Sequence, residues 1–167
     1  MKKYGILISV IIGLVLFISI PMLTEFTISN GKTGKIVYMD SIGNAREFDV
    51  SFRHSVNRTP VNEYIRIQGN GFVVYKTTFY SYGAGMPEYD PASSQILTIT
   101  DGLVQIDNLD RELKDFTYRV GTYADHELSY GDKRIKLSSI LKPQSPAFFS
   151  IKKVSLYELI KYQLQGI

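Results

Sequence analysis

Two stretches of the chain alternate with a period of two, and that rhythm excludes a helix. From Glu47 to His54, the residues Phe48, Val50, Phe52 and His54 share one face, while Glu47, Asp49, Ser51 and Arg53 share the other. From Val61 to Gln68, the residues Val61, Glu63, Ile65 and Ile67 are in phase against Asn62, Tyr64, Arg66 and Gln68. Side chains of a strand point alternately to opposite faces, so each stretch is a strand with one side in a core and one in water. Similar short runs cover Glu25 to Ser29, Lys35 to Met39, Phe72 to Tyr80, Gln95 to Thr100, Leu103 to Asp107, Phe116 to Thr122, His126 to Tyr130, Arg134 to Leu137 and Ala147 to Val154. Turn residues punctuate them: Asn30 with Gly31, Gly69 to Gly71, and Asp101 with Gly102. About ten short strands joined by hairpin turns predict an all-β fold, an antiparallel barrel or sandwich. Ser155 followed by Glu158 has the spacing of a capping box, and Leu156, Leu159, Ile160 and Leu164 can form an apolar stripe. A short terminal helix packed on the barrel is expected there.

The beginning of the chain follows a different rule. No charged residue lies between Tyr4 and Leu23, and nearly every position from Ile6 to Ile20 is apolar. Twenty such residues as a helix reach about 30 Å, the thickness of a hydrocarbon core. The expectation is therefore a transmembrane anchor over 1–23 and an extracytoplasmic β-domain over 24–167. Ile20, Pro21, Met22, Leu23 and Thr24 offer no small-x-small cleavage site, so an uncleaved anchor is favoured over a removed signal. Lys2 and Lys3 place the N-terminus in the cytoplasm under the positive-inside rule. The expected location is thus the cell membrane, single-pass, with the domain outside.

Charge and cysteine content narrow the chemistry. The formal charge of +3 includes Lys2 and Lys3, and the exported part carries only +1, which is no electrostatic footprint for nucleic acid. Cysteine is absent, which excludes disulfides, thiolate metal sites and a cysteine nucleophile. Twelve tyrosines suit a β-domain and need no ligand to explain them.

Two polar residues fall in the apolar phase, His54 and Glu63. A hairpin pairing Phe52 with Ile65 would also set His54 opposite Glu63, close enough for imidazole to bond carboxylate and for each to hold the other charged. The pair either pins the hairpin or lines a pocket mouth. Asp125 and His126 supply a second imidazole and a further carboxylate, a ligand set of the facial-triad type. The chain has no short spacing of metal ligands, and Ser55 stands in no nucleophile elbow, so neither a metal site, a cofactor nor catalysis is expected. A surface hydrolase or metal-dependent enzyme using His54, Glu63 and His126 is the alternative, and a structural envelope module is another.

Between the strands ending near Tyr80 and beginning near Gln95 lies a segment holding Tyr82, Gly83, Gly85, Met86 and Pro87. Its glycines open no helix, so it is no nucleotide fingerprint. It reads either as a wide turn or as a contact loop, since Tyr80, Tyr82, Met86 and Tyr89 are side chains that interfaces favour.

The block His54, Ser55, Val56, Thr59, Pro60, Val61 and Glu63, followed by Ser81 to Pro87 and by Asp125 and His126, resembles the bacterial family catalogued as domain of unknown function 1850. The resemblance runs from Val37 to Val154, and the phenylalanine usual before the glycine block is Tyr82 here. Members are typically encoded beside the TAXI type of tripartite ATP-independent periplasmic (TRAP) transporter. The resemblance therefore implies an accessory or binding subunit of a solute uptake system, docking to the solute-binding protein or the permease. On that implication the interaction residues are His54, Glu63, Tyr82, Gly83, Gly85, Met86, Pro87, Asp125 and His126.

Overall fold

The computed structural model describes residues 2–41, 47–82 and 85–164. Helix α1 (Lys2–Ser19) precedes strands β1 (Pro21–Asn30), β2 (Ile36–Asp40), β3 (Glu47–Arg53), β4 (Pro60–Gln68) and β5 (Gly71–Phe79). Strands β6 (Ile96–Thr100), β7 (Leu103–Leu113), β8 (Phe116–Arg119), β9 (Glu127–Tyr130) and β10 (Lys133–Lys136) follow, then the one-turn helix α2 (Leu137–Ile140), strand β11 (Pro146–Ser155) and helix α3 (Leu156–Leu164). The strands form two antiparallel sheets, one in the order β2-β1-β11-β8 and one in the order β10-β9-β3-β4-β5-β7-β6. The sheets face each other as a sandwich and do not close into a barrel.

Alternation decides which side chains meet between the layers. Phe26, Ile28, Ala147 and Phe149 of the small sheet are buried against Phe48, Val50, Ile65, Phe72, Val74 and Leu128 of the large one. Aromatic rings knit the two faces: Phe26 lies 5.3 Å from Phe48, and Phe116, which stacks on Phe149 of its own sheet at 4.7 Å, lies 4.9 Å from Phe72 across the layer. Four strands meet seven, and a second apolar cluster of Val61, Phe79, Val104 and Ile106 is packed by Met86 and Tyr89 from the β5–β6 connection. That connection therefore roofs part of the large sheet.

The antiparallel weave sorts the connections into two ends. One end holds the α1–β1 junction, the β4–β5 turn at Asn70, the β7–β8 turn at Lys114 and Asp115, and the β11–α3 junction. Thr24, Asn70, Lys114, Asp115, Lys152 and Lys153 line one groove of about 290 Å³ there. The opposite end holds the β3–β4 turn, the β5–β6 connection and the β8–β9 connection, tied together where the Arg53 N–H donates to the Ala124 carbonyl at 2.8 Å. Strands β4 and β5, nine residues each, separate the two ends by about 30 Å.

The two expectations about helices have different outcomes. The apolar run does not continue as helix to Leu23: α1 ends at Ser19, because Pro21 cannot continue it and instead opens β1 opposite Ser155. Among the described residues no helix is long and apolar enough to cross a membrane. Helix α3 begins as its capping box requires, with Ser155 Oγ accepting the Glu158 N–H at 3.2 Å and Glu158 Oε2 accepting the Ser155 N–H at 2.8 Å. The helix packs on β1 and β11 of the small sheet and touches α1, although Leu156, Ile160 and Leu164 of its apolar stripe are exposed and none of its residues is buried. Leu159 and Tyr162, which are only partly covered, are its least exposed residues.

One glycine is required by a close approach. A Cβ on Gly71, the first residue of β5, would stand 2.8 Å from the Leu113 carbonyl oxygen of β7, a backbone atom that cannot swing aside. Gly71→Ala should therefore destabilise the domain by about 1–3 kcal/mol, read as a lower urea midpoint at unchanged slope.

Candidate functional site

The end of the sandwich farthest from α1 gathers nearly all the residues singled out by the sequence. His54 is buried, 6% exposed, at the last position of the alternating run. It organises its own turn: its carbonyl accepts the Arg58 N–H at 2.9 Å, its N–H donates to the Thr59 carbonyl at 2.9 Å, and Nδ1 accepts the N–H groups of Val56 and Asn57 at 3.3 and 3.2 Å. An Nδ1 that accepts two amide protons carries none itself. Arg58, with φ of 57°, takes the left-handed conformation that closes the loop.

This tight turn overturns the expected pairing of His54 with Glu63. Arg53 faces Pro60, Phe52 faces Val61, and Glu63 faces Val50, so the register is four residues away from the one that would oppose imidazole to carboxylate. A slip of even length keeps every side chain on its face, so alternation permits both registers. The six-residue loop from His54 to Thr59 selects the observed one.

Glu63 does turn inward, and its partners come from elsewhere. Tyr118 of β8, in the opposite sheet, donates its hydroxyl to Glu63 Oε2, and Arg111 of β7 lies 3.4 Å from Oε1. Burial first, and then the Glu63 charge, push the Tyr118 hydroxyl far above its ordinary range, so it remains a donor. Arg111 reaches this position through an irregularity in β7. Asp107 pairs with Lys76 and Arg111 with Val74, and Asn108 and Asp110 between them have φ of 55° and 45°. The kink sends Leu109 against both apolar clusters and re-aims Arg111.

Aromatic rings enclose the other histidine. His126 stacks on Phe52 at 5.1 Å and lies 5.2 Å from the Tyr118 ring, which is itself 6.0 Å from Phe52. It is 7% exposed, and its Nδ1 has no hydrogen-bond partner among the described residues. Burial lowers its pKa below 6.5, outweighing the adjacent Asp125. The Asp125 carboxylate is engaged at the surface by Lys136 at 3.0 Å. Among the described residues no three histidine, aspartate or glutamate side chains gather as metal ligands. His54 Nδ1 serves its turn and Glu63 serves Tyr118, so the facial-triad set is not assembled around these groups.

The glycine loop is anchored at both flanks. Asn57 Nδ2 donates to the Tyr82 carbonyl at 3.2 Å, joining the His54 turn to the loop. The Tyr82 ring stands edge-on to Phe79 at 4.9 Å while half of it faces solvent. Gly85 has φ of 88°, a conformation that favours glycine, and Pro87 is partly buried. Gly83 lies outside the described residues. Val56, Tyr80, Tyr82 and Tyr123 are exposed around this end, with Val56 at 74% and Tyr123 at 83%.

Sequence reasoning missed Phe52, Tyr118, Arg111 and Asn57 as members of this site. Tyr118 had a signal, since its hydroxyl sits in phase with Phe116 and Val120. Arg111 had none, because the irregular stretch breaks the alternation that would have extended β7 beyond Asp107.

Two outcomes follow from this geometry. Tyr118→Phe leaves Glu63 with Arg111 alone and should cost about 1–2 kcal/mol of stability in denaturant unfolding, an effect that largely vanishes in a Glu63→Met background, which has no oxygen to accept the hydroxyl. For His126, the unfolded chain takes up a proton near 6.5 while the folded chain resists it, so the unfolded state binds more protons and stability falls as pH drops below that value. His126→Phe keeps the ring stack and should show a shallower loss of stability between pH 6.5 and 5 than the parent, measured by urea titrations across that window.

A family model described as "Domain of unknown function (DUF1850)" matches residues 48–137, from β3 into α2. The matched span includes His54, Glu63, the glycine loop, Arg111, Tyr118, Asp125 and His126, and leaves out α1, β1, β2, β11 and α3. No curated protein and no solved structure matches the chain.

Proposed function

The chain belongs to the DUF1850 family, and from that premise we propose that it is a membrane-anchored accessory subunit of a TAXI-type TRAP uptake system that works by docking and not by catalysis. Helix α1 serves as the anchor. Its side chains from Ile6 to Phe17 are exposed all round, which is costly in water and favourable in lipid. Its 18 residues reach about 27 Å, and the exposed Ile20, Met22 and Leu23 carry the apolar surface on toward the about 30 Å of a hydrocarbon core.

The observation that carries the reading is the separation of the two ends. The His54 turn, the glycine loop and the β8–β9 connection lie at the end of the sandwich away from α1. With α1 in the membrane, this end stands about 30 Å or more from the lipid, facing the compartment in which a soluble solute-binding protein diffuses. It carries exposed Val56, Tyr80, Tyr82 and Tyr123 on a rigid base, the amphipathic composition of an interface centre. The solute-binding protein is therefore the favoured partner over the permease. Glu63, Tyr118 and Arg111 support that surface from inside by holding β4, β7 and β8 together. No nucleic acid is involved in this reading.

Calorimetric titration of the purified chain with its cognate TAXI-type solute-binding protein should give saturable heat. Tyr82→Ala should weaken binding at least tenfold, while the domain stays folded and loses no more than about 1–1.5 kcal/mol of stability for the lost edge contact with Phe79. Absence of heat and of co-elution with the receptor, together with failure of the permease to capture the chain, rejects the docking reading; capture by the permease alone rejects the choice of partner.

A further inference from the structure

We propose that the free edge of β6 is a strand-addition site, where an extended, basic-flanked segment of the docked solute-binding protein pairs with Leu97 and Ile99. This deepens the docking reading and rests on it.

Backbone geometry is the first argument. Strand β6 ends the large sheet and has β7 as its one neighbour. Asp101 and Gly102 both have positive φ, so the β6–β7 turn is of the two-residue type in which the Thr100 carbonyl accepts the Leu103 N–H. Bonds between antiparallel strands alternate, so Thr100, Thr98 and Ile96 bond to β7 while the N–H and C=O of Leu97 and Ile99 point to the open side. Two donors and two acceptors held in extended register specify a peptide backbone as their ligand.

Side chains give the second argument. Leu97 and Ile99 share the inner face with Ile106 and Val104, yet Ile99 is 62% exposed beside a Val104 that is 6% exposed. An added strand would cover it. Each of the other three edge strands carries charge: Asp40 in β2, Arg119 in β8, and Lys133, Arg134 and Lys136 in β10. Charges on an edge discourage pairing with another chain. Strand β6 has none.

Its surroundings name the occupant. From Thr77 to Asp110 the sequence holds five acids and no lysine or arginine, although bases outnumber acids in the chain as a whole. Glu88 and Asp90 before β6 and Asp101 after it are exposed. A complementary segment is therefore neutral where it faces β6 and carries lysine or arginine beyond it. The edge also adjoins the docking surface: Ile99 and Phe79 flank Val104 in one row across the sheet, and the Tyr82 ring stands on Phe79. Five residues are few beside the about 20–30 a side of a stable interface, so the edge serves as one part of that larger surface. A second copy does not fit. Antiparallel pairing of β6 with itself turns one molecule end over end, and the two α1 exits would lie at opposite ends of the pair, where one bilayer cannot receive both. Parallel self-pairing about a two-fold axis sets Leu97 level with its own copy, whereas the slanted bonds of a parallel ladder join residues one position apart.

Hydrogen exchange resolved to single amides is followed in the full chain in lipid nanodiscs, alone and saturated with its cognate TAXI-type solute-binding protein. The Leu97 and Ile99 amides should exchange freely in the chain alone and at least tenfold more slowly in the complex, while the Thr98 amide, already bonded to β7, changes less than twofold. In calorimetric titrations Ile99→Pro, which removes an outward N–H and spares the ladder to β7, should bind at least fivefold more weakly than Ile99→Ala, which keeps it. Glu88→Gln with Asp101→Asn should weaken binding at least threefold at low salt and less at high salt. Saturable heat with Leu97 and Ile99 still exchanging freely overturns this proposal and leaves docking standing. Protection of these amides in the chain alone, rising with its concentration, also overturns it by placing a second copy on the edge. Absence of heat rejects the docking reading and the strand addition with it.

Discussion

The pairing of β1 with β11 is the constraint on which the rest of the molecule depends. Nine residue pairs run from Pro21 opposite Ser155 to Asn30 opposite Ala147, joining the first strand of the chain to the last. Their inner face delivers Phe26, Ile28 and Phe149 to the core. Their outer face is polar yet covered: Thr27 and Ser150 share a hydroxyl contact at 3.0 Å, and Glu25 is buried with its carboxyl pushed up by desolvation and by Asp40. Because β1 and β11 are antiparallel neighbours, α1 and α3 are forced to the same edge. Every connection that follows is then assigned to that edge or to the one opposite.

The contact of Tyr118 with Glu63 plays a different part. Apolar faces of two sheets can slide over one another at small cost, since hydrophobic attraction has no direction. A hydroxyl that must meet a carboxylate across the layer has one position, and Arg111 completes it from β7. Leaving that carboxylate without its donor inside the sandwich is penalised more heavily than making the bond is rewarded, so the contact excludes wrong alignments more than it adds stability. It also places Phe52 and His126 against the Tyr118 ring, which sets the floor beneath the exposed residues of the far end.

What could be read from the residues, and what could not, divides along physical lines. The faces of β3 and β4 were legible because alternation has only two phases, and the cap of α3 was legible because Ser155 and Glu158 are local partners. Asp101 and Gly102 take φ of 51° and 79°, as a tight hairpin turn requires. Register was not legible, because a slip of four residues preserves every face and the decision rests on how His54 folds its loop. The length of β7 was hidden by the left-handed Asn108 and Asp110, which interrupt its period. The end of α1 was legible in Pro21, which cannot continue a helix, but the strand that follows was not: Pro21, Met22 and Leu23 are as apolar as the helix before them, and β1 starts there because Ser155 pairs with Pro21.

The same division bears on how a docking module could be built at a membrane. The matched family span, residues 48–137, contains the large sheet and the whole far end, whereas both terminal helices and the strands that carry them lie outside it. Under the proposed reading, attachment and recognition thus occupy separate parts of the chain as well as opposite ends of the fold. The link between them is mechanical: the aromatic contacts of Phe26 and Phe116 with Phe48 and Phe72 bind the small sheet to the large one. Under the proposed reading, a force or constraint applied by lipid at α1 is transmitted through that packed layer and not through a flexible linker. The far end is then held at a fixed height and orientation, which lowers the entropy that a partner must give up on docking.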